Sequence, residues 1–263
     1  MTCLALSVLL FNANRLPKKE SSPTQTPSKG VISSLSDVVK KLPETDKKNW
    51  SKIEALLKQT SKKEEKRHVA DSAIFFWDQH NRPDFAAAFA EQKAELSGNV
   101  KDWNYAGQRF YYAVKFFEDS PVKKTLFLSA KRCFEKVLSL DPKNTDARID
   151  IASCIVESGE NPMQGISMLR EIEKTDSNNV RLQLSFGFFS SKSQQWEKAI
   201  KRFSKALEID SNYIEVHLHL ADAYERKGKK DSCIKHLEIF ISKTNDEMAK
   251  ATIREYVNKI KNN

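Results

Sequence analysis

Residues 220–240 read LADAYERKGKKDSCIKHLEIF. Small residues at Ala221 and Cys233 sit among larger apolar ones, Leu220, Tyr224, Leu237 and Phe240, at helical spacing. Arg226-Lys227-Gly228-Lys229 interrupts the pattern. Apolar positions three and four apart predict an amphipathic helix, and glycine among lysines predicts a turn between two of them. This is one helix–turn–helix unit.

The unit recurs upstream. The small residue of its second helix aligns as Ala130, Gly165, Ala199 and Cys233, at spacings of 35, 34 and 34 residues. Four positions later stand Phe134, Leu169, Phe203 and Leu237, then Val137, Ile172, Ala206 and Phe240. The closing position is Pro142, Ser177, Ser211 and Asn245, all turn or cap formers. In the first helix the small residue is Gly107, Ala152, Gly187 and Ala221, followed three later by Phe110, Ile155, Ser190 and Tyr224. A fixed period of this length is the signature of a repeat array. The first copy carries about eleven extra residues between its helices, near Glu118-Asp119-Ser120-Pro121.

At these residues the chain resembles the tetratricopeptide-repeat (TPR) family. Trp103, Ala106, Gly107 and Phe110 match the first helix of the repeat, and Ala130, Phe134 and Pro142 the second; Ser190 departs from the usual aromatic. The resemblance covers about 100–245 and implies an all-α protein, a right-handed α-solenoid of TPR hairpins with about twelve helices. It implies a binding scaffold without cofactor or metal, not an enzyme. Its partner would be a protein or peptide segment lying on the first helices of the repeats. The residues expected on that wall are Asn104, Gln108, Tyr111, Ile149, Ser153, Leu184, Phe188, Lys192, Leu218, Asp222 and Glu225, with Tyr111 and Phe188 as aromatic anchors. The paired cations with which some TPR domains grip a C-terminal carboxylate are missing at Asn104, Gln108, Leu184 and Phe188. A competing arrangement fills the wall with the N-terminal helices.

Upstream, residues 34–99 read as divergent helices: about 34–41, 46–59 with Trp50, Ile53, Leu56 and Leu57 on one face, a helix to about His80, and one from Phe85 to near Gly98. Ser61 and Glu64 have the spacing of a capping box, Asn81-Arg82-Pro83-Asp84 reads as a turn, and 62–98 resembles a degenerate hairpin. Residues 246–263 supply a helix to cover the last apolar face, as repeat arrays require.

The N-terminus is different. Residues 3–11, CLALSVLLF, are apolar throughout, and 12–33 hold Pro17, Pro23 and Pro27 among Ser, Thr and Lys. Nine helical residues rise about 14 Å against a bilayer core of roughly 30 Å. Three readings stand: the end of a longer membrane helix beginning upstream of Met1, an atypical signal sequence, or a frayed end. Arg15, Lys18 and Lys19 followed by a polar linker favour the first. The layout resembles membrane-anchored TPR proteins of Bacteroidota, which implies a tether at the bacterial inner membrane; a cytoplasmic location is the alternative.

Of the net charge of +9, an excess of six lies in residues 1–66 and three in the remainder. The near-neutral repeats disfavour the alternative of a nucleic-acid-binding repeat protein, which needs cations striped along its helices. Seven glycines form no phosphate-binding loop. Cys3, Cys133, Cys154 and Cys233 form no C-x-x-C pair and have no histidine neighbours at zinc-ligand spacing. His217 and His219, two apart, point about 200° apart on a helix and cannot share a metal. His68, His80 and His236 read as surface or packing residues.

Overall fold

The computed structural model describes residues 31–117 and 121–262, so the apolar stretch 3–11, residues 12–30 of the linker and residues 118–120 lie outside it, while Val31, expected in the linker, is a buried residue of the core. Among the described residues there are thirteen α-helices, one short 3-10 turn and no strand. In order the helices are α1 (Leu35–Lys40), α2 (Glu44–Gln59), α3 (Lys63–Gln79), α4 (Pro83–Ser97), α5 (Val100–Ala113), α6 (Val122–Leu140), α7 (Thr145–Ser158), α8 (Pro162–Thr175), α9 (Val180–Lys192), α10 (Trp196–Ile209), α11 (Val216–Arg226), α12 (Lys230–Lys243) and α13 (Glu247–Lys261). The protein is an all-α solenoid in which successive helices pack as hairpins. It divides into two compact units, and the boundary along the chain falls within α8, after Met168.

The N-terminal unit is built around aromatic rings and alanines. Trp50 of α2 touches Phe76 and Trp77 of α3 and Phe89 of α4, with ring centres 4.9–5.4 Å apart. On α4, Ala86, Ala87, Ala88, Ala90 and Ala94 are fully or almost fully buried, so this helix is covered on most of its circumference by its neighbours. Its two buried carboxylates are compensated, as a buried charge must be. Asp84 accepts two hydrogen bonds from Arg82, at 2.9 and 2.6 Å, and Glu91 pairs with Arg132 of α6. Pro83 occupies the first turn of α4, where its missing N–H costs nothing, and Gly98 ends it at φ +66°. The turn before it is therefore shorter than 81–84.

The capping box at Ser61 does not form. Lys62, at φ −74° and ψ 124°, is the N-cap of α3 and gives no side-chain cap bond. The helix starts one residue later than that motif needs, and Glu64 instead pairs with Arg67 at 2.8 Å.

The repeat register rests on two glycines. A Cβ on Gly107 would meet the Phe134 ring at 2.6 Å, and one on Gly187 would collide with the Phe203 ring. In each hairpin the ring of the second helix thus lies against bare backbone of the first. Helix starts repeat too: Asn99, Asn144 and Asn179 cap α5, α7 and α9 by accepting from the N–H three residues on. Asn144 and Asn179 are each held by the Asp three residues earlier, Asp141 and Asp176, at 3.0 Å. In the fourth copy Asp210 is followed at that place by Tyr213, no side chain caps the helix, and α11 is only 11 residues long. The first copy's extra residues are shared between a longer connection and α6, which has 19 residues where α8, α10 and α12 have 14.

The C-terminal unit has two apolar clusters. Ala199, Phe203, Val216 and Leu220 form one, with Leu184 and Tyr224 against it. Ala221, Cys233, Leu237 and Val257 form the other, with Leu218, Ile253 and Ile260 against it. α13 therefore lies on the apolar face of the α11–α12 hairpin. Asp246 opens α13 by accepting from the N–H groups of Met248 and Ala249, both at 3.0 Å.

Candidate functional site

Within the N-terminal unit, α3 and α5 run side by side in the same direction. Arg67 reaches Asp102 at 3.3 Å, and eleven residues further along α3, Asp78 accepts from Arg109. Between these two bridges α3 presents Phe75 and α5 presents Tyr105, which are 66% and 40% exposed. Two turns beyond Tyr105 on the same face of α5 lies Tyr112, 47% exposed. Its ring is 5.4 Å from that of Phe116, in the 3-10 turn Val114–Phe116, which is also about half exposed.

Cations stand beside these rings. The Arg109 guanidinium is 5.9 Å from the centre of Tyr105, and the Lys115 ammonium 5.5 Å from that of Tyr112. Large apolar groups left exposed in a row are informative in a way that single ones are not. The opposite face of α5, Trp103, Ala106, Phe110 and Ala113, is buried, so the exposed row is fixed in direction by the core behind it.

The expected wall residues divide by exposure. On α5, Gln108 is exposed and Asn104 half-buried. Tyr111 is 36% exposed at the edge of the row, with its ring edge-on to Phe127 of α6 at 5.5 Å. Ile149 and Ser153 of α7, expected on the wall, are buried, with only 1% and 7% of their surface exposed. The aromatic row that the sequence reading passed over, Tyr105 and Tyr112, lies nearer the centre of the exposed face than Asn104 or Tyr111. Their seven-residue spacing was the available signal.

In the C-terminal unit, Phe188 of α9 is 39% exposed and edge-on to Phe203 at 5.4 Å and to His219 at 4.7 Å. Leu184 and Leu218 are partly buried against the two clusters, and Lys192 is half-buried. Asp222 pairs with Arg226 at 3.5 Å, and burial pushes its carboxyl above the usual range. Glu225 accepts from the Tyr256 hydroxyl of α13 at 2.5 Å, which fixes it at the α11–α13 seam. Burial also lowers the proton affinity of His219, so this stretch of wall is apolar at its Phe188 end and acidic at its α11 end.

Other chemistry-bearing residues are absorbed by packing. Cys133, Cys154 and Cys233 are buried thiols, and burial pushes all three up. Among the described residues, no group of three or more His, Cys, Asp or Glu side chains is placed to hold a metal ion. No described helix is long and apolar enough to cross a membrane.

Residues 192–228 match the family described as TPR repeat. The structure is similar to that of a tetratricopeptide repeat protein from Parabacteroides merdae ATCC 43184, at a TM-score of 0.53 and 11% identity, covering 89% of each chain. It is equally similar to a thermophilic TPR protein of Thermus thermophilus, at a TM-score of 0.53 and 14% identity over 74% of this chain and 98% of that one. No curated protein matches the chain in sequence. The match at 192–228 spans α10 and α11, where the 34-residue register is read directly, and the two likenesses carry the same architecture beyond it: the chain has the fold of tetratricopeptide-repeat proteins.

Proposed function

We propose that this chain is a non-enzymatic scaffold that holds a protein segment against the exposed side of its first helices, with α5 as the principal contact. The observation that carries the reading is the row Tyr105, Tyr112 and Phe116, with Phe75 on α3, left open by a fold that buries Trp50, Phe76, Trp77, Phe85, Phe89, Trp103, Phe110, Phe127 and Phe134. Aromatic side chains bring large contact area at little entropic cost, which is why they dominate binding hot spots. Gln108 and Asn104 would bond the backbone of an extended segment, and Tyr111 would border it. In the C-terminal unit Phe188 is the corresponding anchor, flanked by Leu184, Lys192 and Leu218, with Asp222 and Glu225 giving that surface an acidic end.

The test is replacement of Tyr105 and Tyr112 by Ala in the full chain. Partner affinity should fall by about 2 kcal/mol or more, with the melting temperature little changed because both rings are already exposed. Unchanged affinity would refute the reading.

One observation favours nucleic acid instead: Arg109 and Lys115 beside exposed tyrosines resemble a base-stacking platform. Salt separates the two readings. Phosphate binding falls steeply between low and moderate salt, whereas docking on an aromatic row does not. Arg109 is already engaged by Asp78, and this favours the protein partner.

We also propose that the apolar residues 3–11, followed by Arg15, Lys18 and Lys19, tether the chain to a bacterial membrane. Apolar burial with a few basic residues gives reversible adhesion. Cell fractionation with and without residues 1–30 tests this; an unchanged distribution would remove the tether.

A further inference from the structure

The last hairpin contains a contact that the scaffold reading does not use. His217 of α11 and His236 of α12 bring their Nδ1 atoms within 2.9 Å, and their ring centres are 5.2 Å apart with planes 29° from parallel. Two imidazole radii added to a 2.9 Å gap reach that separation only when the rings meet head to head, nitrogen facing nitrogen along the line of centres. The contact is an N–H···N hydrogen bond between rings, not a face-to-face stack. Tyr224 covers a face of His236, 5.4 Å away and 10° from parallel. Because the two Nδ1 atoms point at one another, their lone pairs do not converge on a common point where a metal ion could sit.

A bond of this kind needs one proton between two nitrogens. With both rings neutral, one is the Nδ1–H tautomer and donates, and the other carries its proton on Nε2 and accepts. One further proton, taken on Nε2 of the donor, leaves the bond in place. A second must go onto the accepting Nδ1. Two N–H groups then face each other on two cations, and the bond is lost.

The surroundings oppose that charge. Burial lowers the proton affinity of His217, and Lys243 lowers it further. Burial, His217 and Lys235 lower that of His236. Several carboxylates of the surrounding helices are engaged elsewhere: Asp222 with Arg226 on α11, Glu225 with Tyr256 and Glu238 with Lys261 on α13, and Glu197 of α10 with Lys227, while Glu215, two residues before His217, acts on His219.

We propose that the His217–His236 bond is a proton-operated clasp on the last hairpin, holding α11 to α12 while at least one facing nitrogen is unprotonated and releasing them when both rings are charged. The direction follows from linkage. Unfolded histidines take up protons near pH 6.5, whereas His236 in the folded chain does so at about 4. The unfolded hairpin therefore binds more protons between these values. The clasp's contribution is complete above about pH 6.5 and is lost as pH falls toward 4.

Two measurements on the full chain test the proposal. Imidazole nitrogen NMR at neutral pH should show one ring as the Nδ1–H tautomer and its partner as the Nε2–H tautomer, with His236 resisting protonation until about pH 4. Two Nε2–H rings titrating independently near pH 6.5 would overturn it. Hydrogen exchange, corrected for the intrinsic pH dependence, should show the amides of 216–243 losing protection between pH 6.5 and 4 while those of 63–97 keep theirs. The paired variant His217→Gln with His236→Gln should abolish that difference. An equal loss in both segments, or the same loss in the variant, would overturn the proposal; if the variant does not fold, the NMR result on the natural chain decides.

Discussion

At Gly187 one hydrogen atom decides a helix spacing. Any Cβ there would strike the fully buried Phe203 ring, which has apolar side chains behind it. Gly187→Leu is expected to destabilise the chain by about 1–3 kcal/mol or more, through overpacking, read as a drop in denaturation midpoint. The same change at exposed Gly98 meets no atom but forces a left-handed φ on leucine, a smaller effect of roughly 1–2 kcal/mol. Gly187 was legible in the sequence as a small-residue position because helix contact forbids bulk there, and the prohibition returns at Ala152, Gly187 and Ala221, 35 and 34 residues apart. Side-chain direction around α5 and α7 was less legible. Projecting a wall from repeat register alone selected buried Ile149 and Ser153 and passed over Tyr105 and Tyr112. Register fixes which helix is exposed, while exposure within a helix follows from what its neighbours cover.

At the scale of elements, helix starts separate two asparagines that look alike in sequence. Asn179 caps α9 and is held by Asp176, whereas Asn212 caps nothing. Asn179→Ala should therefore cost about 1 kcal/mol, and Asn212→Ala less than about 0.5 kcal/mol, in equilibrium unfolding. Equal costs would mean that the Asp-x-x-Asn motif does not act as described. Asp246→Ala should also cost roughly 1 kcal/mol, and its loss should fray α13 and expose the α11–α12 face that Val257, Ile253 and Ile260 cover. Ser61 shows why such signals mislead when read alone. Its spacing to Glu64 suits a capping box, but Glu64 is drawn to Arg67 and the helix opens at Lys62. The helices themselves were legible throughout, since apolar periodicity reports burial directly; their first residues were not, since several local hydrogen bonds compete for each terminus.

At the scale of the molecule, the chemically unusual groups fall into a packed set and an exposed set. The buried charges here are compensated pairs, Arg82–Asp84 and Arg132–Glu91, and the thiols are packed away. The exposed large apolar side chains include the aromatic row of α3 and α5 and Phe188 in the other unit, besides Leu56, Leu140, Met163 and Met248 elsewhere on the helices. Replacing Phe188 by Ala together with Tyr111→Ala should weaken partner binding less than the Tyr105 and Tyr112 pair does, because Tyr111 and Phe188 already commit part of their surface to Phe127, Phe203 and His219. Competitive binding with a recovered partner measures the order; the reverse order would return the centre of the site to Tyr111.

The most direct test places a photo-reactive phenylalanine analogue at Tyr112 in cells and, as a control, at Lys136 on the exposed side of α6. A docking wall on α5 predicts a discrete protein adduct from position 112 that is absent from 136, is lost when Tyr105→Ala is added, and persists in moderate salt. Identical adducts from both positions, or adducts to nucleic acid that disappear with salt, would contradict it.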